Sequence, residues 1–258
     1  LWDIKSGNLI KTFTDHPDRV LSIAFSPDGK NLVSAGDDKL VRVWNVENGK
    51  LRKTTERHNS WIWSVTFSPD GFTVASGSED KIIKLWNANT LECIQTLKGH
   101  NDWVRSVKFH PNGKILASGS EDKTVKLWDV TTGDEIRTLK VSIGWVRSIA
   151  FSPDGRFLAF CGGSAIVEIW DITTNEIYKT LSGHRERLWS VAFSLDGQTL
   201  ASSSEDGNIA LWDVTTGTRL HSLRAPRLYE GLNITGVVNL TKAQINTLKT
   251  LGAIKEDE

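Results

Sequence analysis

Histidine, serine and aspartate recur together along this chain: His16, Ser34 and Asp38; His58, Ser76 and Asp80; His100, Ser118 and Asp122; His184, Ser202 and Asp206. These are the side chains of nucleophilic hydrolysis, in which an imidazole takes the serine proton and a carboxylate orients the imidazole. The spacing argues against that chemistry. A nucleophile is needed once per site, whereas here the whole set returns at multiples of 42 residues. Tryptophan keeps the same step, at Trp2, Trp44, Trp86, Trp128, Trp170 and Trp212. A trio that repeats with the fold unit belongs to the fold unit, so no catalytic residue is assigned. There is also no metal-ligand spacing, no phosphate-cradling glycine loop and no Gly-x-Ser-x-Gly elbow. No metal and no cofactor are expected.

A period of this size signals stacked copies of one supersecondary unit. Before each tryptophan runs a segment alternating apolar and polar residues and rich in β-branched types: LVRVW, IIKLW, TVKLW, IVEIW and NIALW. That pattern reads as a strand. Two further apolar runs precede each of these, joined by the turns SPDG at 26, 68 and 152, HPNG at 110 and SLDG at 194. Proline presets φ, and glycine supplies the positive φ that folds the chain back as a hairpin. A fourth run follows each tryptophan, such as IRTL at 136–139. Each repeat therefore holds four antiparallel strands and no helix.

Four-stranded repeats of this length, with Trp-Asp at one end and Gly-His at the other, resemble the WD-repeat family of β-propellers. The resemblance is carried by Trp2-Asp3, Trp128-Asp129, Trp170-Asp171 and Trp212-Asp213, by Asn45 and Asn87 after their tryptophans, and by Gly99-His100 and Gly183-His184. It covers residues 1–225 and implies an all-β propeller with blades near 20–55, 62–97, 104–139, 146–181 and 188–223, preceded by a partial blade. Residues 226–258 form a C-terminal tail. The family resemblance also gives the recurring polar residues a task. They form a buried hydrogen-bond chain from aspartate through histidine and serine to the indole N–H of Trp44, Trp86, Trp128 and Trp212, satisfying groups the blade must bury. The implied function is a non-enzymatic scaffold or sensor, cytoplasmic, binding a protein or peptide.

The fourth repeat tests this idea within the sequence. Its equivalents are Ser142, Phe160 and Ser164, with only Trp170 kept. Joint loss is what a linked network predicts, because a lone survivor would be a buried unsatisfied group costing roughly 1–3 kcal/mol. This blade is expected to be held by the apolar packing of Phe157, Phe160, Ile166 and Ile169, and to open more readily than its neighbours.

Five of the 11 tryptophans lie outside the repeat series: Trp61, Trp63, Trp103, Trp145 and Trp189, all at the start of a first strand. In phase with them stand Arg19, Arg105, Arg147 and Arg187, and Leu21. Strand alternation points positions two apart the same way. Asp37, Glu79, Glu121 and Glu205 fall in the adjoining turn, with Gly163 in the fourth repeat. The resemblance places this zone around the channel mouth. Tryptophan and arginine dominate interface hot spots, and an arginine over an indole adds a cation–π attraction. Arg19, Trp61, Trp63, Trp103, Arg105, Trp145, Arg147, Arg187 and Trp189 are therefore the expected site for a peptide or protein loop. The alternative is a small-ligand receptor whose aromatic ring cages a cationic group. A peptide site should spread over several blades, and a cage should be compact.

Composition narrows the partners. With 31 basic and 31 acidic residues the net charge is zero, which argues against nucleic acid or an anionic membrane. No apolar stretch reaches the roughly 18–20 residues of a membrane span, and there is no signal peptide. Cys93 and Cys161 are expected as unpaired, buried thiols in a reducing compartment.

Residue 1 falls just before the tryptophan that ends a third strand, and the chain holds no methionine. The last blade already owns a fourth strand, so residues 9–13 have no vacancy to fill there. The expectation is an open arc with one or more further blades upstream; the alternative is a ring closed with fewer blades. In the tail, TKAQINTLKTLG at 241–252 reads as a short helix, with Thr241 as N-cap, Gln244 as its reciprocal partner and Gly252 at C′. Leu240, Ile245, Leu248 and Leu251 give it one apolar face, expected to lie against the propeller or a partner. The stretch RAPRLYEGLNITGVVNLTKAQ resembles the tail of bacterial multidomain WD-repeat signalling proteins, many with an upstream nucleotide-binding ATPase, kinase or caspase-like domain. That resemblance implies an effector domain of the same parent chain as a partner.

Overall fold

The computed structural model describes residues 1–224, 232, 235 and 241–251. Five four-stranded antiparallel sheets follow one another, each in simple sequence order. Blade 1 holds β1 (Val20–Phe25), β2 (Asn31–Gly36), β3 (Val41–Asn45) and β4 (Leu51–Thr54). Blade 2 holds β5 (Ile62–Phe67), β6 (Thr73–Ser78), β7 (Ile82–Asn87) and β8 (Cys93–Lys98). Blade 3 holds β9 (Val104–Phe109), β10 (Ile115–Ser120), β11 (Thr124–Asp129) and β12 (Glu135–Lys140). Blade 4 holds β13 (Val146–Phe151), β14 (Phe157–Gly162), β15 (Ile166–Asp171) and β16 (Glu176–Ser182). Blade 5 holds β17 (Leu188–Phe193), β18 (Thr199–Ser204), β19 (Asn208–Asp213) and β20 (Arg219–Arg224). The all-β propeller architecture expected from the repeat is the one observed.

The hairpin between the first two strands is set by local chemistry. In blade 2, Ser68 Oγ donates to Asp70 Oδ1 at 2.5 Å, and the Thr73 amide donates to Ser68 Oγ at 2.9 Å. Gly71 completes the turn at φ 77°, a conformation that costs glycine little. Between blades the core is apolar. Val33, Ala35, Val41 and Val43 of blade 1 pack against Ile62, Val65, Phe67, Val74 and Trp86 of blade 2, and the same arrangement recurs around the arc.

A second inter-blade device is polar. The Val65 amide donates to Ser22 Oγ at 3.0 Å, Val107 to Ser64 at 3.1 Å, Ile149 to Ser106 at 3.3 Å and Val191 to Ser148 at 3.3 Å. Each blade's innermost strand is thus latched to the next. The sequence reading missed this, although Ser22, Ser64, Ser106, Ser148 and Ser190 keep the 42-residue step.

Blade 1 presents Val20, Ile23 and Phe25 at 44%, 60% and 49% exposure. Their counterparts Ile62, Val65 and Phe67, covered by blade 1, are at 0%, 1% and 8%. Leu1, Trp2, Leu9 and Phe13 line a cavity of about 530 Å³ beside this face, and Trp2 pairs with Leu9 in an isolated bridge.

One expectation needs correction. Cys161 is buried, but Cys93 is exposed, because it begins the outermost strand of its blade. The tail helix α1 (Lys242–Thr250) forms with the expected capping box between Thr241 and Gln244, yet it buries no residue. Ile245 and Leu248 are only half-covered and Leu251 is exposed. Leu240 and Gly252 lie outside the described residues. Among the described residues no helix is long and apolar enough to cross a membrane.

Candidate partner-binding face

Four blades carry the same buried polar chain. In blade 3, Trp128 Nε1 donates to Ser118 Oγ at 2.8 Å, Ser118 Oγ meets His100 Nε2 at 2.7 Å, and His100 Nδ1 meets Asp122 Oδ2 at 2.8 Å. The corresponding distances are 2.7, 2.6 and 2.8 Å for Trp44, Ser34, His16 and Asp38. They are 2.8, 2.8 and 3.0 Å for Trp86, Ser76, His58 and Asp80, and again for Trp212, Ser202, His184 and Asp206. A consistent proton order follows: the imidazole donates from Nδ1 to the carboxylate and accepts the serine O–H at Nε2. Burial pushes Asp122 upward, but hydrogen bonds from His100, Thr124 and the Asn101 amide outweigh it and hold the carboxyl well below its ordinary value. Asp80 and Asp206 are lowered against the same burial cost by hydrogen bonds of this kind. Each serine is buried under an indole, which leaves no approach for an electrophile.

Blade 1 adds Arg42, which reaches Asp38 directly and lies 3.1 Å from His16 Nδ1. Blade 4 does not simply lose its polar residues. Phe160 and Ile169 are fully buried, as expected, while Phe157 is half-buried and meets the Tyr178 ring at a tilt, with centroids 4.6 Å apart. Yet Ser142 hydrogen-bonds the carboxylate of Glu168, a buried residue on β15. Arg156 donates to Asp171 at 2.9 Å, and the Thr173 hydroxyl, ahead of Arg156, draws the Asp171 carboxyl down to about 2. A different polar pairing has replaced the recurring one.

The nine expected partner-binding residues come together in two clusters. In the first, Arg19 lies 5.4 Å from the Trp61 ring, Trp61 meets Trp63 edge-on at 6.1 Å, and Trp63 stacks on Trp103 at 6.1 Å. The Arg105 guanidinium sits 3.8 Å from the Trp63 ring and 4.6 Å from the Trp103 ring. In the second, Arg147 covers Trp189 at 3.7 Å and approaches Trp145 at 6.0 Å, with Arg187 5.9 Å from Trp145.

Alternation does not aim these side chains. In every blade the first strand slips register against the second, so that Leu21, Trp63, Arg105, Arg147 and Trp189 have no partner opposite. A bulged residue is released from the ladder and re-aimed. Trp63, Arg105, Arg147 and Trp189 turn into a channel of about 680 Å³, where Lys108 joins them. Lys108 stays accessible from the channel, yet the surrounding protein pushes its ammonium below the usual lysine value.

The turn after the second strand supplies counter-charge. The amides of Asp37, Glu79, Glu121, Gly163 and Glu205 donate to the carbonyls of Arg19, Trp61, Trp103, Trp145 and Arg187, at 3.1, 2.9, 2.9, 2.9 and 2.9 Å. Those bonds fix each turn beside the ring. Arg19 pairs with Asp37 at 2.7 Å, Arg105 with Glu121 at 2.7 Å and Arg187 with Glu205 at 3.1 Å. Glu79 accepts from Ser60 at 2.8 Å. Among the described residues, no carboxylate lies within ion-pair reach of Arg147.

Repeated four-stranded blades, the Trp–Ser–His–Asp chains and the channel define a β-propeller of WD type, and the chain belongs to the WD-repeat β-propeller family. Residues 61–227 match the family described as the IFT122 first β-propeller, and residues 7–45 match the WD domain, G-beta repeat. Similar stretches occur in the WD repeat-containing protein alr2800 of Nostoc sp., 67% identical over 36 residues, 14% of this chain and 3% of that protein. Superkiller complex protein 8 of Dictyostelium discoideum is 50% identical over 38 residues, 15% of this chain and 13% of that protein. WD repeat and SOCS box-containing protein 1 of Takifugu rubripes is 50% identical over 42 residues, 16% of this chain and 10% of that protein. Each match spans about one repeat, a small part of the relative's length. Families of this type are generally non-enzymatic and bind proteins or peptides.

Proposed function

We propose that this chain is a non-enzymatic interaction module that docks a protein or peptide on its Trp/Arg face, as a cytoplasmic part of a larger bacterial signalling protein. The observation that carries this reading is the bulge-driven convergence of Trp63, Arg105, Arg147 and Trp189 on one channel. The set spans four blades, the extent expected of a peptide site. The cationic-cage alternative is weaker, because Arg105 already lies over Trp63 and Arg147 over Trp189. A second positive charge there would meet like charge. The Nostoc relative, of which the matched repeat is 3%, accords with a long multidomain parent whose own effector domain is a partner. The neutral charge balance speaks against nucleic acid and anionic membranes as partners.

The test is affinity capture with this chain beside its Trp103→Ala/Arg105→Ala/Trp145→Ala variant, with circular dichroism to verify the variant's fold. A protein held by the parent and lost by the folded variant is the expected result. Retention by both would move the site off this face.

A further inference from the structure

Every arginine of the ring has a carboxylate beside it except Arg147 of blade 4. Arg19, Arg105 and Arg187 each have a carboxylate supplied by the turn after the second strand of their own blade. The blade 3 pair shows the rule: Arg105 on the bulge takes Glu121 from that turn. The equivalent of Arg105 in blade 4 is Arg147, and the equivalent of Glu121 is Gly163. The turn itself is intact, since the Gly163 amide still donates to the Trp145 carbonyl at 2.9 Å. A Cβ at 163 would lie 2.9 Å from Trp145 Nε1 and 3.1 Å from the Ile143 carbonyl, so the indole now fills the space where an acidic side chain begins.

Arg147 is thus a guanidinium spread over Trp189 at 3.7 Å, aimed into the channel, without its carboxylate. Burial and the nearby Arg105 disfavour its charge, and outweigh the support it draws from Glu205 and Glu121, neither of which is in ion-pair contact with it. Lys108 lines the same channel, and no acidic residue does. We propose that Arg147 is the anchor for an aspartate or glutamate side chain of the docked peptide, whose carboxylate takes the place that Glu121 holds beside Arg105. Lys108 adds attraction from the wall of the same channel, and Trp145 and Trp189 flank the anchor. A carboxylate is the favoured group because both neighbouring blades, 3 and 5, pair their ring arginine with one. This rests on the reading of the Trp/Arg face as a peptide site.

The test is selection from a bead-displayed library of random eight-residue peptides, in parallel with the same library carrying phosphoserine, on the whole chain and on Arg147→Gln and Arg147→Lys. We expect the parent to enrich Asp or Glu at one peptide position. For a synthetic peptide of the selected sequence, Arg147→Gln should weaken binding by roughly tenfold or more, and Arg147→Lys should recover part of the loss. Replacing the selected acid by its amide should weaken the parent by a similar factor and leave Arg147→Gln unchanged. Peptides selected without an acidic position, or an acidic preference that survives in Arg147→Gln, would overturn the anchor while leaving the docking face standing. A preference for phosphoserine over Asp or Glu would overturn the carboxylate assignment. No peptide selected above background by the parent would overturn the docking face itself, and the anchor with it.

Discussion

Replacing Ser118 by alanine removes one oxygen from the centre of blade 3 and strands two partners. Trp128 Nε1, 2.8 Å away, loses its acceptor, and His100 Nε2, 2.7 Å away, loses its donor. Ser118 and Trp128 are 0% and 1% exposed, so water does not reach the freed indole. An orphaned buried group costs about 1–3 kcal/mol, which for two groups gives roughly 2–6 kcal/mol in total. At about 2–4 °C per kcal/mol for a chain of this size, the melting temperature should fall by at least roughly 4 °C. Calorimetry measures that fall, and hydrogen exchange should show it as lost protection in blade 3 and its two neighbours before the rest. Trp128→Phe provides the decisive comparison. In that background there is no indole N–H to strand, so Ser118→Ala should cost less by about 1–3 kcal/mol. An equal cost in both backgrounds, or a cost below about 1 kcal/mol in the parent, would show that the chain is not held as a linked network.

Four further outcomes are expected. Blade 4, which lacks the recurring chain, should exchange its amides faster than blades 3 and 5; equal protection would mean that Phe160 and the Ser142–Glu168 pair compensate fully. The carboxyls of Asp80, Asp122 and Asp206 are held below their ordinary value, so the stability they lend is complete above about pH 5 and drains away below it. Melting temperature should therefore fall between pH 5 and 3, and Asp122→Asn should flatten that fall; an unchanged slope would refute the assignment. Burial pushes the Cys161 thiol up to about 12, whereas Cys93 is exposed. At pH 8 the native chain should take one iodoacetamide group and the unfolded chain two, with native Cys93→Ser taking none. A Cβ at Gly119 would lie 2.5 Å from Val146 Cγ1 and 3.1 Å from Ile149 Cγ2, so Gly119→Ala should destabilise by about 1–3 kcal/mol in chemical denaturation, and a neutral result would mean that blade 4 yields.

The repeat made the strand order legible, because strand alternation, turn chemistry and the tryptophan step all point to one unit. The clustering of the five extra tryptophans was legible too, since their phase alone gathers them. Their aim was not. Leu21, Trp63, Arg105, Arg147 and Trp189 are of three different residue types, so nothing in the letters marks a bulge. Alternation sends residues 19 and 21 the same way by a rule the sheet breaks there. The inter-blade latch was half visible. Its serines recur, but its donors are backbone amides, which every residue except proline carries. The Ser142–Glu168 pair was hidden for a different reason. Glu168 occupies the phase held by Arg42, Lys84, Lys126 and Ala210, a series that holds no other acid to mark it as a partner for Ser142.

The bulge also has a bearing on how such a protein diversifies. The released residue makes no paired contact across the sheet, so its identity can vary without cost to the ladder beside it. Leucine, tryptophan and arginine at this one phase show how widely it has varied within a single chain. The blades hold constant the residues that make them blades and leave one address per blade free to change. New specificity can then arise by single substitutions at those addresses, one sector at a time, on a frame that need not be rebuilt.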